Sequence, residues 1–240
     1  MRVPTRIICL CLISLSFFFT NELFAQENKL MWGIKAGGNI GAPVPFGNIP
    51  DGASGAPIVG LNLGSWLSYT LNKDLTLKLE FNYSVKGASF ETPVVDLPYV
   101  EGGDSTVFNG MAEGKFDNQY LEWPLYIQYK IFKKISLTGG IYFAYMFATA
   151  TYANGEGTVG YSPTTVSRSI PFNEELNKFD YGARLGAVYT NGGKFLFDAN
   201  LSYGIPSIFK KSYETIDYSI NNFYFQFSVM YNFSKGLSID

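Results

Sequence analysis

Leu75-Thr76-Leu77-Lys78-Leu79-Glu80-Phe81-Asn82-Tyr83-Ser84-Val85-Lys86 decides the fold. Its odd positions are all apolar or aromatic, and its even positions are all polar. A two-residue period is that of a β-strand with one apolar and one polar face. Similar alternation recurs along the chain and predicts strands at about 31–39, 57–71, 75–87, 119–131, 135–149, 179–190, 194–204 and 221–233. Each supplies the roughly 9–11 residues with which a tilted strand crosses a bilayer.

The connections alternate in length. Asn72-Lys73-Asp74, Phe132-Lys133-Lys134 and Asn191-Gly192-Gly193 read as tight turns, whereas residues 40–56, 88–118, 150–178 and 205–220 read as long loops. Short turns at one end and long loops at the other are the pattern of an outer-membrane barrel with both termini on the short-turn, periplasmic side. The expected fold is therefore all-β, an eight-stranded antiparallel up-and-down transmembrane β-barrel.

Soluble barrels alternate too, so the direction of each face matters. The polar face is rich in small residues, among them Gly33, Gly37, Gly60, Gly64, Gly140, Gly182, Gly186 and Gly204. An eight-stranded interior is only wide enough for packed side chains. The other face carries Phe195, Phe197, Leu201 and Tyr203 on one strand and Phe223, Phe225, Phe227 and Val229 on another, too bulky for that interior and suited to lipid. Outward aromatics sort into two levels. Trp32, Tyr69, Tyr129, Tyr189, Phe195, Tyr231 and Phe233 lie near the short turns; Tyr83, Trp123, Tyr145, Tyr181, Tyr203 and Phe223 lie near the long loops. Two such belts are expected where amphipathic rings sit at headgroup level.

Tight turns also fix register. If Leu71 faces Leu75, then Ser68 faces Lys78, Trp66 faces Glu80 and Gly60 faces Lys86. If Ile131 faces Ile135, then Tyr126 covers Gly140 and Pro124 faces Tyr142, with a bulge or kink expected at the proline because it lacks a ladder donor.

Residues 1–25 read as a cleaved signal peptide: basic Arg2 and Arg6, an apolar run from Ile7 to Phe19, and Leu23-Phe24-Ala25 before the cut. Residues 26–240 then form a single barrel domain. Both cysteines, Cys9 and Cys11, fall in the leader, so neither a disulfide nor a lipid anchor is expected in the mature chain. The full chain carries 18 basic and 20 acidic residues. That balance is no footprint for nucleic acid.

The stretch Tyr120-Leu121-Glu122-Trp123-Pro124-Leu125-Tyr126-Ile127-Gln128-Tyr129 resembles a strand of the PorT-like outer-membrane β-barrel proteins of Bacteroidota. Trp32-Gly33-Ile34-Lys35-Ala36-Gly37-Gly38-Asn39, Leu79 to Gly87, Asp180 to Gly186 and Leu201 to Ile205 resemble that family in the same order, as does Phe24-Ala25-Gln26 at the cleavage region. The resemblance implies an eight-stranded barrel in the cell outer membrane. Its best-known member supports protein export and sorting at the cell surface, so the resemblance also implies a surface, envelope-assembly or secretion-associated role.

The sequence contains no histidine. Ser/His/Asp chemistry and imidazole metal ligands are thereby removed. Ionisable inward positions are Lys35, Lys78, Glu80, Lys86, Glu122, Lys130, Asp180, Arg184 and Asp198. They admit a proton or ion path, or a carboxylate pair Glu80/Glu122. The simpler expectation is a structural interior polar network, of which Lys78, Glu80, Glu122, Lys130, Asp180, Arg184 and Asp198 are members. No catalytic, cofactor-binding or metal residue is expected, and no cofactor.

Gly155-Glu156-Gly157-Thr158-Val159-Gly160 matches G-x-G-x-x-G without a βαβ setting, so a surface loop is the simpler reading. Residues 88–118 hold Glu91, Asp96, Glu101, Asp104, Glu113 and Asp117 against Lys115 alone, interleaved with Val94, Val95, Leu97, Tyr99 and Val100. Such a loop suits contact with a partner or weak Ca²⁺ binding; the plainer alternative is a solvated loop that clears the lipopolysaccharide layer. The expected function is thus non-enzymatic, with outer-membrane lipid and lipopolysaccharide around the barrel and an envelope protein bound through loops 88–118 and 150–178. A small passive channel and a His-free, lipid-modifying interfacial enzyme are the alternatives.

Overall fold

The computed structural model describes residues 30–46, 50–101, 104–170, 172–212 and 219–234. The expected signal peptide lies outside them. Ten strands occur among the described residues: β1 (Leu30–Phe46), β2 (Ser54–Thr70), β3 (Leu75–Glu101), β4 (Asp104–Phe132), β5 (Ile135–Thr149), β6 (Tyr152–Val159), β7 (Thr165–Ser169), β8 (Phe179–Thr190), β9 (Phe195–Ser207) and β10 (Ser219–Asn232). A 3-10 turn, Asn173–Glu175, lies between β7 and β8.

Eight of these close a ring in the order β3-β2-β1-β10-β9-β8-β5-β4, sealed by pairing of β3 with β4. All ring pairings are antiparallel. A closed ring leaves no unpaired backbone edge, which is what lets a sheet cross hydrocarbon. Leu77, Leu79 and Phe81 of the opening stretch point outward, and Lys78, Glu80 and Asn82 are buried in the lumen.

The turns set the predicted register at its best-defined points. Ser68 pairs with Lys78 and Trp66 with Glu80 across β2–β3. Tyr126 pairs with Gly140 and Pro124 with Tyr142 across β4–β5. At Gly140 a Cβ would run into the Leu125 carbonyl and the Tyr126 backbone, so only glycine allows the fully buried Tyr126 ring this close approach. The Gly60–Lys86 pair is not made, because a register shift falls between Pro57 and Asn62. Nor does Pro124 carry a bulge. The β3–β4 ladder is interrupted opposite it, between Leu79↔Leu125 and Asn82↔Glu122, yet the register is the same on both sides. The missing proline N–H removes a bond without displacing the strand.

Much of the chain expected as loop is sheet. β3 and β4 run 27 and 29 residues, more than twice what a bilayer crossing needs. Their upper halves form a tall hairpin from residues 88–118 that continues past the ring. β6 pairs with β4 from Lys115 to Phe108, where β5 has already ended, and β7 pairs with β6. The G-x-G-x-x-G run is part of this added sheet: Gly157 lies opposite Gly110, and Gly155 sits under the Phe108 and Ile170 side chains.

Outward aromatics form contacting rows. Trp32 stacks with Phe233 at 4.9 Å, and Tyr231 with Phe233 at 5.2 Å and Phe195 at 5.3 Å, beside the short turns. Toward the long-loop end, Phe81–Trp123–Phe143–Phe179–Tyr145 is continuous, with ring separations between 5.3 and 6.0 Å.

Candidate functional site

The lumen holds the chemistry-bearing side chains. Lys35 of β1, Lys78 and Glu80 of β3 and Asp198 of β9 form an alternating square. Lys35 Nζ lies 2.8 Å from Glu80 Oε2 and 3.0 Å from Asp198 Oδ2; Lys78 Nζ lies 2.8 Å from Glu80 Oε1 and 3.4 Å from Asp198 Oδ1. Asn82 and Asn200 donate to the same carboxylates at 2.9 and 2.6 Å.

A second cluster lies nearer the long-loop end. Lys86 Nζ bridges Glu122 Oε1 at 2.6 Å and Asp180 Oδ2 at 3.4 Å, and Arg184 donates to Glu122 Oε2 at 3.0 Å. Tyr142 and Asn222 donate to Asp180 at 3.0 and 2.9 Å. The cation of Lys86 is walled by the rings of Tyr120, Tyr142 and Tyr224, each centroid within 5.4 Å. Tyr126 joins the clusters: its hydroxyl accepts from Arg184 at 3.2 Å while Lys78 sits 4.7 Å over its ring.

Each cluster holds two cations and two carboxylates, all 4% exposed or less. Charges withdrawn from water this far are tolerated only when paired and hydrogen-bonded. Zero formal charge in each cluster meets that condition locally, without a counter-ion from solvent.

Of the seven expected network residues, Lys78, Glu80 and Asp198 meet in the first cluster and Glu122, Asp180 and Arg184 in the second. Lys130 does not join them. Its parity on β4 is inward, but it sits where the strand reaches its short-turn end, beside the register shift between Lys130 and Phe132, and is exposed. Glu80 and Glu122 lie in different clusters, each held by its own cations, so no carboxylate pair forms between them.

Both ends of the lumen are apolar. On the short-turn side Trp66, Val188, Leu196 and Met230 pack together with Met31 against them. On the long-loop side Phe116, Met146, Ile170, Phe172, Leu176, Ile208 and Phe209 form a larger cluster, and Phe90 leans on it. Phe116, Phe172 and Phe209 pack with ring separations of 5.6 to 5.9 Å. Asn177 ties this cap to β9 by donating to the carbonyls of Ser207 and Phe209. Sequence reading missed the cap; Phe172 and Leu176 in one loop and Ile208 and Phe209 in another were its only signal. Outside the lumen, a groove of about 430 Å³ runs over the tall sheet between Ser54, Ser89, Glu91, Glu113 and Tyr152, with Glu91 directly opposite Glu113.

Residues 24–210 match the family described as outer membrane protein beta-barrel domain. The chain belongs to that family. It is an outer-membrane β-barrel protein. Among solved structures it is similar to Ail of Yersinia pestis in complex with the heparin analogue sucrose octasulfate, at 15% identity and a TM-score of 0.43, covering 85% of this chain and 99% of that one. It is similar also to Neisserial surface protein A (12%, TM-score 0.38, 85% and 97%) and to OprG of Pseudomonas aeruginosa (11%, TM-score 0.37, 86% and 94%). No curated protein matches the chain.

Proposed function

We propose that this outer-membrane protein is non-enzymatic and binds another envelope component through the sheet that rises from its long-loop end. The observation that carries this reading is the closure of the lumen. Both ionic clusters lie between apolar caps, so their carboxylates and cations are buried away from the surface, while the upper halves of β3 and β4 with β6 and β7 present a broad, mostly polar surface. Binding on a rigid scaffold commonly resides in such projecting segments. The resemblance to the PorT-like proteins of Bacteroidota makes secretion-associated or envelope-assembly partners the first to examine, with lipopolysaccharide surrounding the same surface.

Photo-crosslinking from positions 91, 113 and 156 in intact cells, read by mass spectrometry, tests this reading. A recurrent protein partner captured from these sites, and not from lipid-facing Leu79, is the expected result. Capture of none, together with steady single-channel conductance in planar bilayers, would establish the passive channel instead. A change in lipid A mass that depends on the protein would establish the interfacial enzyme.

A further inference from the structure

The two ends of the barrel differ in charge. Among the described side chains of the long-loop side eight carboxylates, Glu91 and Glu113 among them, outnumber the five cations Lys115, Arg168, Lys178, Lys210 and Lys211. The short-turn rim is basic: Lys73, Lys130, Lys133, Lys134 and Lys194 are all exposed, and Asp74 is the one carboxylate within those three turns.

These lysines are not scattered. The Lys130 N–H donates to the Asp74 carbonyl at 2.8 Å, which puts the Lys73 turn beside β4. Lys133 and Lys134 form the next turn, and the Lys134 carbonyl accepts from Thr190 at 2.9 Å at the end of β8. Lys194 directly precedes β9, and its carbonyl accepts from Asn232 at 2.8 Å. The cations therefore follow one another along the rim from β3 through β4, β5 and β8 to β9.

Depth supplies the second observation. Tyr129, Tyr189, Phe195 and Tyr231 lie within a few residues of these lysines and face outward, and Lys194 Nζ sits 5.7 Å over the Tyr231 ring. Aromatic belts settle at the boundary between headgroups and hydrocarbon. Ammonium groups just beyond that belt then lie at the level of the lipid phosphates, which a compact lysine cation binds as a point charge.

We propose that the short-turn rim is a binding surface for anionic phospholipid headgroups in the leaflet it meets. It is a lipid-selective collar, independent of whatever the opposite end binds. The long-loop end mixes cations with an excess of carboxylates, so the run of lysines at the short-turn rim gives the collar its direction.

The test uses the folded barrel in nanodiscs of equimolar phosphatidylcholine and phosphatidylglycerol, with retained lipid counted by native mass spectrometry. Wild type is expected to retain phosphatidylglycerol preferentially, and the preference should fall with added salt. Neutralising single lysines by Lys133→Gln or Lys194→Gln should reduce it by about fivefold each at low salt. Lys178→Gln, at the other end, should leave it unchanged. Heat-modifiable migration checks that each variant is folded, and the wild-type salt series stands even where a variant fails to fold. Equal retention of both lipids by wild type at low salt would overturn the proposal. Lysine-dependent binding of purified peptidoglycan in place of lipid selectivity would also overturn it, assigning the rim to cell-wall carboxylates.

Discussion

Lys35→Met removes one corner of the first ionic square and leaves Lys78 to balance both Glu80 and Asp198. The lost contacts measure 2.8 and 3.0 Å. At an effective dielectric of ~20, each is an attraction of roughly 5–6 kcal/mol, and desolvation of the ammonium takes back much of the total. Truncating one member of a buried set leaves an uncompensated charge, with a typical cost of about 3–5 kcal/mol. The double variant Lys35→Met/Asp198→Asn leaves Lys78 with Glu80, neutral again, and Asn200 still has an oxygen to donate to at position 198. Its cost should therefore fall well below the sum of the single costs, with a coupling of about 2–3 kcal/mol. Urea unfolding of the barrel in vesicles, followed by tryptophan fluorescence and by heat-modifiable migration, measures all four corners of the cycle. Additive single costs, or a loss below about 1 kcal/mol for Lys35→Met, would refute the claim that local charge balance holds the lumen.

Leu79 is 40% exposed on the lipid side of β3, so Leu79→Arg places a charge in hydrocarbon and should cost about 2–4 kcal/mol, visible as lost heat-modifiable barrel. Phe172→Ala empties the centre of the long-loop cap, at a cost of up to about 3–5 kcal/mol. Protease should then cut within residues 150–178 while the ring stays folded; an unchanged digestion pattern would mean that the cap does not hold that segment. Replacing residues 95–107 by a short Gly-containing turn keeps Phe90, Phe108 and Phe116. The barrel should fold as before but lose its partner crosslinks, and full complementation of a deletion strain by this variant would move the function away from the hairpin tip.

The membrane ring was legible because its signals agree. Period-two alternation, tight turns and inward glycines all act locally, and a tight turn sets every pair that follows it until a bulge intervenes. The extramembrane sheet was hidden for the same reason. Between Val94 and Leu97 the register shifts, with Asp96 at φ 53° and its N–H bonded to the Asn109 side chain, so the alternation changes parity partway along β3. Pro93, Pro98 and the glycines of β6 read as loop chemistry, yet the long β4 supplies partners on both sides. Lys130 shows the other limit. Its parity is right, but burial depends on height along the barrel, and parity does not encode height.

The lumen changes character along its length, and the change follows what lies outside the wall. In a water-soluble domain apolar side chains gather inside because water lies outside. Where lipid takes the apolar face, an inward leucine gains little over an outward one, and the narrow interior is left to charges that satisfy one another. At each end the wall meets water, which would enter, hydrate the ions and weaken every pair. An apolar cap excludes it, and in the drier interior each ionic hydrogen bond is stronger and each unpaired group more costly. The caps and the paired charges therefore depend on each other, and substitution in one should loosen the other. In a lumen closed on these terms the charged groups of both clusters are held by one another and shielded at each end. This is the physical ground for seeking the protein's role on the sheet above the membrane.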